Sequence, residues 1–227
     1  MLKTFFKYAF MKRILLILTV LYTCRAGAQN TSKEHLDSLV NSFVAELRGK
    51  GVDTLLTFED YWTPGQAFIG SKSDWCESKS TYVPVYFLWK QNGKTYLSKK
   101  DNCFDFSTAE VYATSIWQYY MAHDREIKKE KNKPFQIATI VNGKTSITTV
   151  GDENPGRRNL KLMMGNDSII KRFDTFQLLA STKNGSETLT NANYQNNISQ
   201  LSKKLVDMLG DFMFEADKKK VLTRLAR

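Results

Sequence analysis

The stretch from residue 75 to residue 105, WCESKSTYVPVYFLWKQNGKTYLSKKDNCFD, constrains this chain more than any other. Two runs rich in β-branched and aromatic residues, 82–90 and 94–98, flank Asn92-Gly93. That dipeptide predicts a two-residue hairpin, because a type I′ turn needs positive φ at both central positions and Asn and Gly tolerate it. Pro84 falls inside the first run and cannot donate to a ladder, so an edge or a bulge is expected there. Outside the paired strands stand Cys76 and Cys103. They are level with each other when the ribbon closes about its turn, which predicts a disulfide across its mouth.

Such a bond requires an oxidising compartment, and the N-terminus agrees. Lys12 and Arg13 precede an apolar run, 14–22, that ends in Ala26-Gly27-Ala28 before Gln29. A basic region, a short apolar region and an A-x-A site together predict a signal peptide over residues 1–28. The run is shorter than the roughly 20 apolar residues a membrane span takes. Met11-Lys12-Arg13 is a complete basic region by itself, which makes Met11 an alternative start. Cys24 offers a competing lipoprotein reading, but Leu21-Tyr22-Thr23 before it and Arg25 after it fit a lipidation site poorly.

Cleavage after Ala28 removes one of three cysteines and leaves Cys76 and Cys103, a pair. Closing that loop contributes about 3.5 kcal/mol in the chain-entropy picture. Five cations leave with the leader, so the formal charge falls from +10 to +5. Residues 29–227 are expected to form a single domain, long enough for one core and without a linker that would demand two.

Thr31-Ser32-Lys33-Glu34 reads as a capping box with Thr31 as N-cap, opening a helix with Leu36, Leu39, Val40, Phe43, Val44 and Leu47 on one stripe. Gly49-Lys50-Gly51 stops it. Residues 52–58 read as a strand, although Leu55-Leu56 breaks alternation, and 59–72 read as an irregular, aromatic loop. After the hairpin, Ser107-Thr108-Ala109-Glu110 predicts a second capping box and a central helix that Pro134 closes. Runs 135–141, 144–150, 159–164 and 168–173, separated by Asn142-Gly143, a loop and Gly165-Asn166-Asp167, predict a meander, with 176–180 as a further strand. Residues 181–197 read as a long loop. Ile198, Leu201, Leu205, Met208, Leu209 and Phe212 mark a C-terminal helix. The expected fold class is α+β: an antiparallel sheet of hairpin plus meander, with N-terminal, central and long C-terminal helices on one face.

Candidate chemistry is sparse. Cys76 with His123 and Asp124 holds the residue types of a thiol enzyme, but Cys103 competes for Cys76. Glu59 and Asp60, with Asp101, Asp105 and Glu110, lie near aromatics, as the paired carboxylates of sugar-cleaving sites do. Tyr61, Trp62, Phe68 and Trp75 offer a stacking surface for a sugar or an anchor for a protein, and the alternative use of these rings is to plug one end of the core. Lys218, Lys219, Lys220 and Arg224 form a basic tail, which on a terminal helix most often stays solvated. Asp152, Glu153 and Asn154 read as a solvated turn, His35 as a helix-surface residue, and no metal-ligand, cofactor or nucleic-acid motif is present.

A leader ending Ala-Gly-Ala before Gln29 resembles those of exported proteins of the Bacteroidota. Asp37-Ser38-Leu39, Asp53-Thr54-Leu55 and Asp167-Ser168-Ile169 are similar to the three-residue O-glycosylation motif of that phylum. The expectation is an exported, non-catalytic domain, periplasmic or secreted, that binds a protein or glycan partner and needs no cofactor. Two enzymes stand as alternatives: a hydrolase using carboxylates near the aromatic segment 59–75, and a Cys76/His123 thiol enzyme.

Overall fold

The computed structural model describes residues 31–62, 67–69, 76–78, 82–152 and 156–225. Of residues 62, 67–69, 76–78 and 141 only the backbone is described. Helix α1 (Lys33–Gly49) comes first, followed by strand β1 (Thr54–Trp62) and a small ribbon of β2 (Ala67–Ile69) and β3 (Cys76–Ser78). The central hairpin is β4 (Val85–Gln91) and β5 (Lys94–Lys100), with short strands β6 (Asp105–Phe106) and β7 (Ala109–Val111) after it. Next come α2 (Thr114–Lys129), a second ribbon of β8 (Gln136–Val141) and β9 (Lys144–Thr149), and the long pair β10 (Gly156–Met164) and β11 (Asp167–Asp174). A 3₁₀ turn (Phe176–Leu178), a hairpin of β12 (Ser181–Asn184) and β13 (Glu187–Thr190), α3 (Tyr194–Ile198), α4 (Leu201–Lys218) and β14 (Arg224–Leu225) complete the chain.

The main sheet runs in the order β11-β10-β1-β4-β5-β6-β14, with β7 on β5, and its pairs are antiparallel. The fold class is therefore α+β. Among the described residues no helix is long and apolar enough to cross a membrane. The Asn-Gly turns form as expected: Asn92 and Gly93 have φ of 52° and 76°, Asn142 and Gly143 of 52° and 72°.

The helices do not share one face. Leu56, Phe58, Leu88 and Leu160 pack with α2 and α4 in one cluster, while Leu55, Val85, Phe87 and Trp89 pack with α1 in a second on the other side. Because successive residues of a strand point to opposite faces, Leu55-Leu56 breaks alternation for a plain reason. β1 is a central strand with a core on both sides, as is β4, buried from Val85 through Trp89.

Other differences have local causes. The expected meander splits: β8–β9 stands off as its own ribbon, exposing Ile140 and Ile147, while β10 pairs with β1 across 100 residues. Pro84 sits just before β4, where its missing donor costs no ladder bond. Ser32, not Thr31, caps α1 by accepting from the His35 amide at 3.2 Å, and the Thr31 carbonyl instead receives Asn102 Nδ2. The box predicted at Ser107–Glu110 is dismantled by tertiary partners. Ser107 bonds Thr223 through backbone and hydroxyl, Glu110 pairs with Lys94 at 2.6 Å, and α2 begins later at Thr114 without a side-chain cap. β1 reaches Trp62, and β2 takes up 67–69, within the segment read as irregular; the predicted strand at 176–180 is a 3₁₀ turn, and the predicted loop 181–197 holds β12, β13 and α3. α4 borrows its cap, since both Glu130 carboxylate oxygens accept 2.7 Å bonds from the amides of Leu201 and Ser202.

Candidate functional site

Helix α1 crosses over β4 and β5, where the Phe43 ring meets Phe87 edge-on at 4.8 Å and Lys100 lies 5.0 Å from the Phe43 ring. On the same face Met163 of β10 packs with α1, but residues 157–161 of β10 and 170–174 of β11 are left open beside it. The result is an open groove of about 600 Å³. One wall is the α1 stripe Lys33, Asp37, Val40, Asn41 and Val44, residues three or four apart that share a helix side. The floor is set by strand alternation and register. Thr57, Lys161 and Ile170 form one cross-strand row, Glu59, Asn159 and Arg172 the next, and Tyr61, Arg157 and Asp174 the third. Gln177 of the 3₁₀ turn also lines the groove.

The floor mixes satisfied and unsatisfied charge. Asn159 Nδ2 donates to Glu59 at 2.8 Å, and Asp174 accepts the Phe176 amide at 2.8 Å. Burial pushes the Asp174 carboxyl above its usual range, against the pull of the Phe176 amide and Arg157. On the wall Lys33 pairs with Asp37 one turn along. Burial pulls the Lys33 amine down, but the Asp37 hydrogen bond, the charges of Glu59 and Asp37 and the Tyr61 phenol outweigh it and hold the amine above the usual lysine value. Arg157, Lys161 and Arg172 are exposed and have no ion pair within 4.0 Å among the described residues.

Strand alternation separates the two carboxylates that lay side by side in the sequence. Glu59 faces the groove, whereas Asp60 points to the other side of the sheet and lies 3.0 Å from Arg158 Nε. That pair is a close Coulombic contact whose N–H is out of line for a hydrogen bond. Arg158 continues to Asp207 at 3.2 Å, which Lys203 also holds at 2.5 Å, tying β10 to α4. Glu59 and Asp60 thus do not form a dyad. Burial raises the Asp60 carboxyl, and Arg158 only partly offsets it. A carboxyl whose folded-state pKa is raised favours folding fully below its unfolded value and loses that contribution as pH rises through the folded one. Relative to the parent, Asp60→Asn should therefore gain stability as pH is raised from about 3 to about 7, followed by urea unfolding. A stability difference independent of pH would contradict the buried charge.

The remaining sequence candidates disperse. Tyr61 is half-buried and lines the groove, whereas the side chains of Trp62, Phe68, Trp75 and Cys76 lie outside the described residues. Cys76 belongs to β3 and not to the hairpin strands, and Cys103 is fully buried in the turn after β5. That turn is built by Asp101, whose carboxylate accepts the amides of Cys103 and Phe104 and the Tyr82 hydroxyl. His123 packs against the Tyr119 ring on α2, with centroids 4.7 Å apart. Asp105 pairs with Lys100. Lys218 and Lys219 lie near Glu215, Lys220 ends α4 at a φ of 53°, and Arg224 covers the Phe104 ring at 4.5 Å. Among the described residues no three His, Cys, Asp or Glu side chains form a group that could hold a metal ion. Asp152 is exposed, and Glu153 and Asn154 lie outside the described residues.

Lys33, Arg157, Lys161 and Arg172 were not singled out in the sequence. A polar residue at every second position of 157–161 is the signal that marks a strand with one open face. It does not say which helix stands beside that face. No family model, curated protein or solved structure matches the chain.

Proposed function

We propose that this chain is an exported, non-catalytic binding domain whose partner seats in the groove between α1 and the open face of β1, β10 and β11. The observation that carries the reading is a groove of about 600 Å³ whose floor presents hydrogen-bonding side chains and cations without an ion-pair partner among the described residues. Glu59 accepts Asn159 Nδ2, Asp37 pairs with Lys33 and Asp174 accepts the Phe176 amide, so the groove carboxylates are engaged with protein partners, which disfavours hydrolysis by a carboxylate pair. The thiol alternative is not favoured either, because His123 has the Tyr119 ring as its neighbour.

Within the same proposal the mature chain starts after Ala28, resides in the periplasm or outside the cell, and carries a Cys76–Cys103 disulfide. Cysteine parity and the full burial of Cys103 support this. The O-glycosylation tripeptides fit the same compartment, with Ser38 and Ser168 exposed.

Asn41 is exposed on the α1 wall, so Asn41→Trp fills the groove without touching the core. Immobilised mature protein is expected to retain at least one member of a panel of neutral glycans, acidic glycans, acidic peptides and basic peptides. Asn41→Trp, with unchanged thermal stability, should lose that retention. Retention indifferent to Asn41→Trp, or conversion of the retained ligand into products, would overturn the reading.

A further inference from the structure

We infer that the groove takes a linear acidic glycan, with its carboxylate or sulfate groups on Arg157, Lys161 and Arg172. This rests on the groove being the binding surface and adds the ligand class. Arg157 and Lys161 are four residues apart on β10 and project to the same face. Their Cα atoms are thus about 13 Å apart at strand rise. Arg172 lies opposite Asn159, midway between them and one strand over. That places it about 8 Å from each. Three exposed cations without ion-pair partners among the described residues form a zigzag along the groove.

The groups between them select against denser polyanions. Glu59 lies in the row of Arg172, and Asp174 in the row of Arg157. A nucleic acid, with a charge about every 3.4 Å of each strand, would press phosphates onto those carboxylates. A glycan with an acidic group on every second sugar places neutral, hydroxyl-bearing units there, and a carboxylate accepts hydrogen bonds from hydroxyls. The Asn159, Asn41 and Gln177 amides add donors and acceptors, and Tyr61 adds a ring against which a sugar can lie.

An acidic peptide is served less well. The backbone of β10 is laddered on both sides and that of β1 over residues 54–59, and on the edge strand β11 the Arg172 carbonyl is taken by Asn132 Nδ2, so the floor meets a peptide mainly with side chains.

The test uses the mature full chain and fluorescence anisotropy with a labelled hyaluronan hexasaccharide (carboxylated on alternate sugars), a keratan hexasaccharide sulfated on alternate sugars, maltohexaose (neutral), hexaglutamate and a short single-stranded DNA. At least one acidic hexasaccharide should bind tenfold or more tighter than maltohexaose, hexaglutamate or DNA, and weaken with salt. The hyaluronan and keratan sulfate arms decide between carboxylate and sulfate. Arg157→Ala and Arg172→Ala should each lose about tenfold in affinity, with unchanged melting temperature. Lys219→Ala, an exposed cation at the end of α4, should lose none.

Equal or tighter binding of maltohexaose, hexaglutamate or DNA, blocked by Asn41→Trp, would overturn the ligand class and leave the groove standing. A loss at Lys219→Ala equal to that at Arg157→Ala would overturn it as unspecific charge attraction. Absence of any Asn41→Trp-sensitive binding would remove the groove reading itself.

Discussion

Phe87→Ala is expected to lower the free energy of unfolding by about 3–5 kcal/mol, a large part of the roughly 5–15 kcal/mol that holds a domain folded. Phe87 is completely buried at the middle of β4, between Thr57 of β1 and Ser98 of β5. Truncation opens a ring-sized cavity where three strands and a helix meet, and strands laddered on both sides cannot collapse into it. It also removes the edge-on contact with Phe43, which lies 4.8 Å away at 80°. That pair is worth about 0.5–1.5 kcal/mol beyond burial, and a double-mutant cycle with Phe43→Ala isolates it.

The loss should be felt most by α1, because Phe43 meets both Phe87 and Trp89. Hydrogen exchange of amides 36–49 should accelerate more than that of α4, and the groove should lose its ligand with its wall. Urea unfolding that shows a loss under about 1 kcal/mol would mean that α1 is not fastened through this ring.

Asn197→Ala should cost about 2–4 kcal/mol, although it removes only a short polar side chain. Asn197 is fully buried at the end of α3. Its Oδ1 accepts the Lys133 amide at 3.0 Å, and its Nδ2 donates to the carbonyls of Lys133 at 2.8 Å and Gln177 at 3.0 Å. Alanine leaves three main-chain groups without this partner, in a place where water enters only at the expense of packing. Gln136, Asn191 and Asn193 extend the network, with Asn191 bonding the carbonyls of Gln177 and Leu179 and Asn193 reaching Pro134.

Asn197→Asp separates shape from hydrogen bonding. It keeps the acceptor for the Lys133 amide but turns the donor that faces two carbonyls into a second acceptor. Ionised, it should destabilise at least as much as alanine. Those carbonyls raise the folded-state pKa of the new carboxyl, so its contribution to stability is greatest below the unfolded value, about 3.9, and is lost as pH rises through the folded one. Urea unfolding at two pH values checks this: a variant more stable relative to the parent at pH 7 than at about pH 4 would contradict the role of the amide.

Much of the fold was legible because it obeys short-range rules. Asn92-Gly93 and Asn142-Gly143 specify their hairpins by steric preference at adjacent residues, and both turns adopt positive φ. The apolar stripes at 36–47 and 201–213 specify α1 and α4 by period alone. Local rules failed where a distant group competed for the same atoms. Ser107 and Glu110 have the letters of a capping box, but Thr223 and Lys94 take their side chains. The polar composition of 181–197 resembles a loop, yet Asn191 and Asn197 are buried because main-chain groups far along the chain satisfy them.

The groove follows the same division. The amino-acid order alone determined that Asn159 and Lys161 share one side of a strand, and that Glu59 and Asp60 cannot if 59–60 is extended, whereas Arg157, read as loop, joins that side only because β10 begins at Gly156. Only the tertiary structure decided that β10 pairs with β1, that α1 lies on the face opposite α2 and α4, and that it leaves residues 157–161 and 170–174 of β10 and β11 open. Turn geometry and side-chain period are decided by residues a few positions apart. Strand order and helix placement depend on which apolar surfaces, up to 100 residues apart, together exclude water, and no short window of sequence contains that comparison.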